Sequence, residues 1–276
     1  MLPAKNKIEP TIVKAMLGQE LEAAYVYYNR PEFIGTDPIC VPHQFSKPAD
    51  IEIAALFAAI FAWGQRATII AKSKELMRRM DNSPADFVRN HQASDLKRLL
   101  GFVHRTFNDT DLLYLIDFLH RHYSRFESLE DAFLEVDAAT SDPDLRAYQR
   151  LSNFHQLVFT AAHAPQRTRK HLATPATQSS CKRLNMFLRW MVRRDERGVD
   201  FGLWKKIKPS ELIVPMDVHV QRVAVRLGLL SAEKSDWKHA IFLTRALREF
   251  DPKDPVKYDF ALFGLGVLEK GFNGER

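Results

Sequence analysis

The stretch CKRLNMFLRWMVRRDERGVDFGLWKKIKPSELIVPMDVHVQRVAVRLG, residues 181–228, predicts two amphipathic helices, one at each of its ends. Each helix has apolar residues at the i, i+3, i+4 and i+7 positions, which is the spacing of one buried face. These residues are Leu184, Phe187, Leu188 and Met191 in the first helix and Val220, Val223, Ala224 and Leu227 in the second. We therefore expect each helix to bury one side in the core.

Charged residues occupy the N-terminal ends of these helices and the side opposite the apolar face. Arg189 and Arg193 follow Lys182 at nearly whole numbers of helical turns. The three side chains are therefore expected to form one cationic ridge on the first helix. Asp217 stands directly before the second helix, where an aspartate is a favoured N-cap.

Length and composition indicate an ordinary soluble globular protein. A chain of 276 residues can bury a full core, as one large domain or two small ones. Two distant cysteines, Cys40 and Cys181, exclude a disulfide scaffold and a four-cysteine metal cluster, and suit a reducing compartment. The N-terminus lacks the apolar core of a signal peptide, and the longest apolar run, residues 51–63, is too short to span a membrane. We expect a cytoplasmic monomer without a membrane segment, a metal or another cofactor.

Positive charge is concentrated in one part of the chain. The formal net charge is +6, and residues 164–194 contain eight basic residues and no acidic residue. The eight are Arg167, Arg169, Lys170, Lys182, Arg183, Arg189, Arg193 and Arg194. A block of one sign attracts polyanions such as nucleic acid, although a solvated basic surface without a partner has the same composition.

The rest of the chain predicts an all-α fold. Helical patterns cover residues 10–29, 51–63, 68–80, 83–90, 109–123, 129–136, 144–163, 235–250 and 255–270. Period-2 alternation is confined to residues 212–214. Residues 164–180 form a polar connection, and Ser179 or Ser180 is the expected N-cap of the helix that follows.

Several motifs resemble the helix-hairpin-helix DNA glycosylase superfamily, the group of endonuclease III and 8-oxoguanine glycosylase. VPMDVHVQRVAVRLGL resembles the stretch that carries the superfamily's catalytic aspartate, which places Asp217 on that residue. CKRLNMFL looks like the helix that carries the lysine of bifunctional members, so Lys182 falls on the lysine and Asn185 on an asparagine often found three residues later. Gln65 falls on the residue that enters the gap left by a flipped base. DFALFGLGV resembles the last long helix.

The resemblance covers most of residues 50–268 and implies two helical lobes flanking a cleft. Residues 48–208 would form the lobe with Gln65 and Lys182, and residues 1–47 with 209–276 the lobe with Asp217. The whole chain is also similar to a bacterial family described only as a domain of unknown function, which implies no activity.

The implied activity is that of a DNA glycosylase with AP lyase activity, acting on a damaged purine in double-stranded DNA. Lys182 would attack the sugar C1′ to form a Schiff base, and Asp217 would stabilise positive charge as the glycosidic bond breaks. DNA contacts are expected from Gln65, Arg183, Asn185, Arg189, Arg193 and His219. A pocket for the flipped base would be formed by Trp63, Trp190, Phe260 and Phe263.

Two departures from the superfamily pattern bear on this interpretation. The glycine-rich hairpin that should precede the lysine is replaced by TPATQSSCK, and glycine is the residue that allows the tight phosphate-binding turn. The spacing between Lys182 and Asp217 is also longer than the superfamily norm. We therefore expect the extra stretch, residues 193–212, to loop out.

Two other functions remain open. The chain can be a nucleic-acid-binding protein that keeps the fold without catalysis, or an interaction scaffold whose basic face binds an acidic protein. Each candidate residue also has a purely structural explanation: Asp217 as an N-cap contributes about 1 kcal/mol without any catalysis. Lys182 can be a solvated residue of a first turn, and Phe260 and Phe263 can belong to the core. Motifs of other enzyme classes are absent from the sequence.

Overall fold

The computed structural model of this chain describes residues 10–134 and 140–273, which are mostly helical. The prediction of an all-α protein is confirmed for these residues. Their eleven α-helices are α1 (Pro10–Tyr28), α2 (Pro48–Phe61), α3 (Arg66–Arg79), α4 (Pro84–Asn90), α5 (Ala93–Leu96), α6 (Asp109–Tyr123), α7 (Pro143–Val158), α8 (Lys182–Val192), α9 (Val218–Arg226), α10 (Trp237–Arg248) and α11 (Asp259–Asn273).

Short 3-10 segments connect many of these helices. They are Pro31–Thr36, Pro38–Cys40, Pro42–Gln44, Lys97–Leu99, Leu129–Phe133, Gln166–His171, Pro175–Thr177, Pro209–Glu211 and Pro255–Tyr258. Six of the nine begin with proline, whose fixed φ suits the first position of a helical turn. The helix predicted over residues 129–136 is a 3-10 segment from Leu129 to Phe133. Residues 135–136 lie outside the described part of the chain.

The β-structure of the described residues is a two-stranded hairpin and one isolated bridge between Ser179 and Asp236, and the sequence did not predict the hairpin. β1 (Val103–His104) pairs antiparallel with β2 (Phe107–Asn108). The connection contains Arg105 at a φ of 57°, without the Asn-Gly or Asp-Gly pair that marks such turns in a sequence. Residues 212–214, the predicted strand-like run, have no strand partner. The Val214 N–H instead donates to the Thr244 hydroxyl at 3.0 Å.

α2 is the central helix of the fold, and α3, α4 and α8 pack against it. Every residue from Asp50 to Phe61 is buried, as expected for a helix that is apolar on all sides. The buried carboxylate of Glu52 accepts hydrogen bonds from the Tyr123 hydroxyl and the Trp204 indole, both at 2.6 Å. These donors offset the cost of burying the charge.

A second group of helices is formed by α1, α9 and α11, with α11 packed against both of the others. One continuous set of buried apolar residues joins this group to the helices around α2. Lys182 begins α8 in the first group, and Asp217 precedes α9 in the second. The division into two lobes at residues 47 and 208 stays a prediction.

The segment between α8 and α9 packs over the core, so the prediction that it loops out is wrong. Val199, Trp204 and Ile207 are buried. Backbone hydrogen bonds join it to the end of α8, from Phe201 N to Trp190 O at 2.8 Å and from Trp204 N to Met191 O at 3.0 Å. The residues that lengthen the spacing between Lys182 and Asp217 thus contribute to the core instead of forming a surface loop.

Candidate functional site

Lys182 and Asp217 face each other across the ends of α8 and α9. Asp217 is the N-cap of α9, as predicted: its Oδ1 accepts from the backbone N–H of His219 at 2.8 Å and of Val220 at 3.0 Å. Its second oxygen, Oδ2, lies 3.7 Å from Lys182 Nζ. The two side chains are 30% and 21% exposed, so the pair is shielded but open to a ligand.

The pair lines a cavity of about 270 Å³, close to the lower size range of small-molecule pockets. Its aromatic lining consists of Phe33, Trp63, Trp190 and Phe263. Its charged lining consists of Asp37, Arg66, Lys182, Arg189, Asp217 and Asp259. Flat apolar walls with a few converging charges suit a planar polar molecule.

Three of the four residues proposed for the base pocket line this cavity. Trp63 and Phe263 are partly exposed in it, and Trp190 is fully buried behind it. Phe260, the fourth residue predicted for the base pocket, does not line the cavity and is 1% exposed. The Arg189 guanidinium lies over its ring, 4.2 Å from the ring centroid of Phe260. Phe260 belongs to the core because α11 turns this face toward α1 and α8.

The residues predicted to contact DNA do not share one environment. Gln65 is exposed at the N-cap of α3, and its neighbours Gly64 and Arg66 line the cavity. His219 also lines the cavity. Asn185 is buried and donates from Nδ2 to the carbonyl of Ser180 at 2.9 Å, so it holds the turn before α8 instead of facing a ligand.

The predicted cationic ridge does not exist beyond Lys182. Arg189 is 4% exposed and pairs with Asp200 at 3.3 Å and with Asp259. Arg193 is 1% exposed. It forms ion pairs with Asp195, Asp200 and Asp254, at 2.7, 3.1 and 2.8 Å. Both arginines lie on the side of α8 that packs against the segment after it and against the α1–α11 group, so they cannot present their charge to a phosphate at the surface.

We expect Arg193→Met to lower the free energy of unfolding by about 3 kcal/mol, because several carboxylates then stay buried without their counter-charge. Arg194→Met is the matched control, since the neighbouring Arg194 is exposed and its loss should change stability by less than about 0.5 kcal/mol. Urea denaturation of both variants measures the difference. Equal stabilities would show that the buried cluster contributes nothing to the fold.

Asp259 is a cavity carboxylate whose titration is displaced by burial. Burial raises the pKa of Asp259 to about 6, assisted by the nearby Asp217 and opposed by Arg189 and Lys182. The native protein therefore holds this proton more tightly than the unfolded chain does. Its charge, and the charge of the cavity wall, change in the range between pH 5 and 7.

The dependence of the unfolding free energy on pH should show the titration of Asp259. The contribution of protonated Asp259 is fully present below pH of about 4 and is lost as the pH rises through about 6, a change of about 3 kcal/mol. We expect Asp259→Asn to flatten the fall of the unfolding free energy over that window. Urea titrations at pH 4, 5, 6 and 7 test this, and a variant that keeps the wild-type slope would contradict it.

Asp37 is a cavity residue that the sequence did not indicate. Its Oδ1 accepts from the Ile39 N–H at 3.0 Å, and burial raises the pKa of its carboxyl group. Within the described residues no cation lies within 4.0 Å of it. An Asp-Pro pair in an irregular segment predicts a turn, and nothing in it shows that the carboxylate faces a cavity formed by three distant helices.

The turn before Lys182 is formed without the glycines of the superfamily pattern. Gln178 and Cys181 adopt left-handed φ values of 62° and 51°, the conformation that glycine ordinarily provides. Neither predicted serine is the N-cap of α8. Cys181 occupies that position, and the Ser179 hydroxyl accepts from the Cys181 N–H at 3.1 Å.

Among residues 10–134 and 140–273, no group of His, Cys, Asp and Glu is arranged to hold a metal ion, and no helix is long and apolar enough to cross a bilayer. Residues 37–268 match a protein-family model described as "Protein of unknown function (DUF2400)". No curated protein and no solved structure matches. The predicted similarity to a family of unknown function is confirmed, and the resemblance to the DNA glycosylases stays a prediction.

Proposed function

The chain belongs to the DUF2400 family, and we propose that it is a DNA glycosylase with AP lyase activity on a damaged base. One observation carries the proposal: the Lys182 amine lies 3.7 Å from the Asp217 carboxylate in the wall of an aromatic cavity. The two residues stand in sequence motifs that are separated by a long segment. Their meeting at one cavity is what a shared reaction centre requires.

The geometry suits the two steps of base excision. When the glycosidic bond breaks, its electron pair leaves with the base, and positive charge develops on the sugar. Asp217 Oδ2 can stabilise that charge, because Oδ1 is held by two backbone N–H groups. The Lys182 amine, in its neutral form, can then bond to C1′ and lose a proton. The C1′–O4′ bond breaks as the sugar ring opens and O4′ takes up a proton, which leaves a Schiff base, and loss of a C2′ proton then expels the 3′ phosphate.

The cavity suits a flipped base better than a flexible substrate. Trp63 and Phe263 are partly exposed in the cavity and offer apolar faces for a planar ring, with the buried Trp190 behind them. Base–aromatic stacking contributes about 1–3 kcal/mol per base. Asp37 and Asp259 add polar groups at the cavity wall that can accept hydrogen bonds from ring N–H groups or an exocyclic amine. A base that carries such donors is the preferred substrate.

Borohydride trapping of wild-type protein on an abasic duplex tests the proposal. A covalent protein–DNA adduct is expected, because reduction of the Schiff base makes the C1′–Nζ bond permanent. Without an adduct on any abasic duplex, the lyase proposal fails. Salt-dependent duplex binding would then favour the non-catalytic nucleic-acid-binding protein, and no binding at all would favour the scaffold.

A further inference from the structure

Two further cavities share Trp63 with the Lys182–Asp217 cavity. One, of about 240 Å³, shares Ala62, Trp63 and Lys182 with it. The other, of about 300 Å³, shares Trp63, His171 and Arg183 with the cavity of about 240 Å³. We call these two cavities together the basic groove. Its polar lining is Thr106, Lys170, His171, Ser179, Ser180, Lys182 and Arg183, and none of its described lining residues is acidic.

Arg183 is the charge in this groove that most clearly lacks a counter-ion. Its Nη1 donates to the carbonyl of Ile60 at 2.6 Å, in the last turn of α2. No carboxylate of the described residues lies within 4.0 Å of it, and burial lowers the pKa of its guanidinium. The buried arginines of the fold, Arg150, Arg189 and Arg193, each contact at least one carboxylate. A half-buried, unneutralised guanidinium is costly unless an anion completes its surroundings.

Two exposed cations, Lys170 and Arg105, contact the groove or its Trp63 wall. Lys170 lines the groove, and the Arg105 guanidinium lies 4.5 Å from the Trp63 ring centroid. Neither has a carboxylate within 4.0 Å among the described residues. By contrast Arg167, on the same connection, is 3.3 Å from Asp111. On this connection Arg167 is therefore neutralised by a carboxylate, whereas Lys170, which lines the groove, is not.

The start of α8 connects the groove to the reaction centre. Successive helical residues point about 100° apart. Lys182 accordingly lines both the aromatic cavity and the groove, whereas Arg183 lines the groove and not the aromatic cavity. An extended polyanion that enters the cavity with one unit would therefore pass directly over Arg183 with the next. The spacing of one residue on a rigid helix keeps the two contacts in register.

We propose that the basic groove binds the phosphodiester backbone flanking the nucleotide held at Lys182, through the side chains of Arg183, Lys170 and Arg105. Side-chain cations on the 105–106 turn, residue 170 and α8 would supply the phosphate contacts for which the sequence lacks a glycine hairpin. The identity of the ligand as DNA rests on the proposed function, whereas anion binding in the groove does not.

The test compares the double variant Arg105→Met/Lys170→Met with the control Arg194→Met/Lys238→Met. The control removes two exposed cations that do not line the groove. Affinity for an undamaged duplex is measured from 50 to 300 mM salt by fluorescence anisotropy. We expect the groove variant to lose about two units of salt slope and at least about tenfold in affinity at low salt, with the control near wild type. Arg183→Met should remove about one further unit.

The outcomes separate this proposal from the proposed function. If wild type forms no trapped adduct but the groove variant still loses salt slope, the groove stands and the lyase proposal falls. If trapping is normal and the groove variant binds with the wild-type slope, the groove proposal is overturned alone. Should Arg183→Met unfold, as circular dichroism would reveal, the two exposed cations decide the question. A wild-type protein that binds no duplex overturns the groove proposal as well.

Discussion

Lys182→Gln should abolish borohydride trapping on an abasic duplex while duplex binding stays within a few-fold of wild type. Glutamine has no amine, so it cannot form the Schiff base on which trapping depends. Lys182 is 30% exposed at the first position of α8, and its contact with Asp217 is a long ion pair of 3.7 Å. Such a partly exposed pair contributes little to stability, so the variant should fold normally.

Lys182→Arg is the sharper form of this experiment, because it keeps the positive charge and removes only the nucleophilic amine. It too should give no adduct. Lys238→Gln is the matched control, since Lys238 is exposed on α10 and does not line the cavity, and its adduct should equal that of wild type. Trapping that persists in both Lys182 variants would assign the Schiff base to a different amine.

Asp217→Asn should slow base release at least about a hundredfold, the lower end of the range for a lost acid–base or charge-stabilising group. The asparagine carbonyl can still accept from the His219 and Val220 N–H groups, and asparagine caps a helix about as well as aspartate does. The helix should therefore persist while the negative charge next to Lys182 disappears. Single-turnover release from duplexes that each carry one damaged purine measures the change.

Asp236→Asn provides the matched control for the capping function. Asp236 caps α10, where its Oδ1 accepts from the His239 N–H at 2.9 Å, and it lies outside the cavity lining. Its substitution should leave base release unchanged. If Asp217→Asn and Asp236→Asn release the base equally fast, Asp217 is an N-cap only, and the charge of the cavity has no part in the reaction.

Local pattern was sufficient for the helices and for several of their ends. α6 begins and ends at the predicted residues, because Asn108 caps it and its apolar face follows a helical period. The spacing of Leu184, Phe187, Leu188 and Met191 predicted the buried side of α8, where all four are buried. The hydrogen bonds of Asp217 were also predictable, since a cap involves neighbours within three residues.

The site depended on contacts that no local pattern contains. The sequence predicted that Arg189 and Arg193 are on the side of α8 opposite its apolar face, and charge alone suggested that this side faces solvent. Their partners Asp200, Asp254 and Asp259 lie 7 to 70 residues away, and only folding brings these carboxylates to α8. The same is true of Asp37, which reaches the cavity from a 3-10 turn near the N-terminal end.

The sequence by itself determined an all-helical chain, the buried faces of α8 and α9, and the positions of Lys182 and Asp217 at the starts of those helices. The tertiary structure alone decided that these two side chains meet at 3.7 Å, that residues 193–212 pack over the core, and which cations remain free. The physical reason is the distance along the chain over which each kind of interaction acts. Periodicity and capping act within one or two turns of a helix, whereas charge neutralisation and the cavity depend on segments that meet only when the core closes.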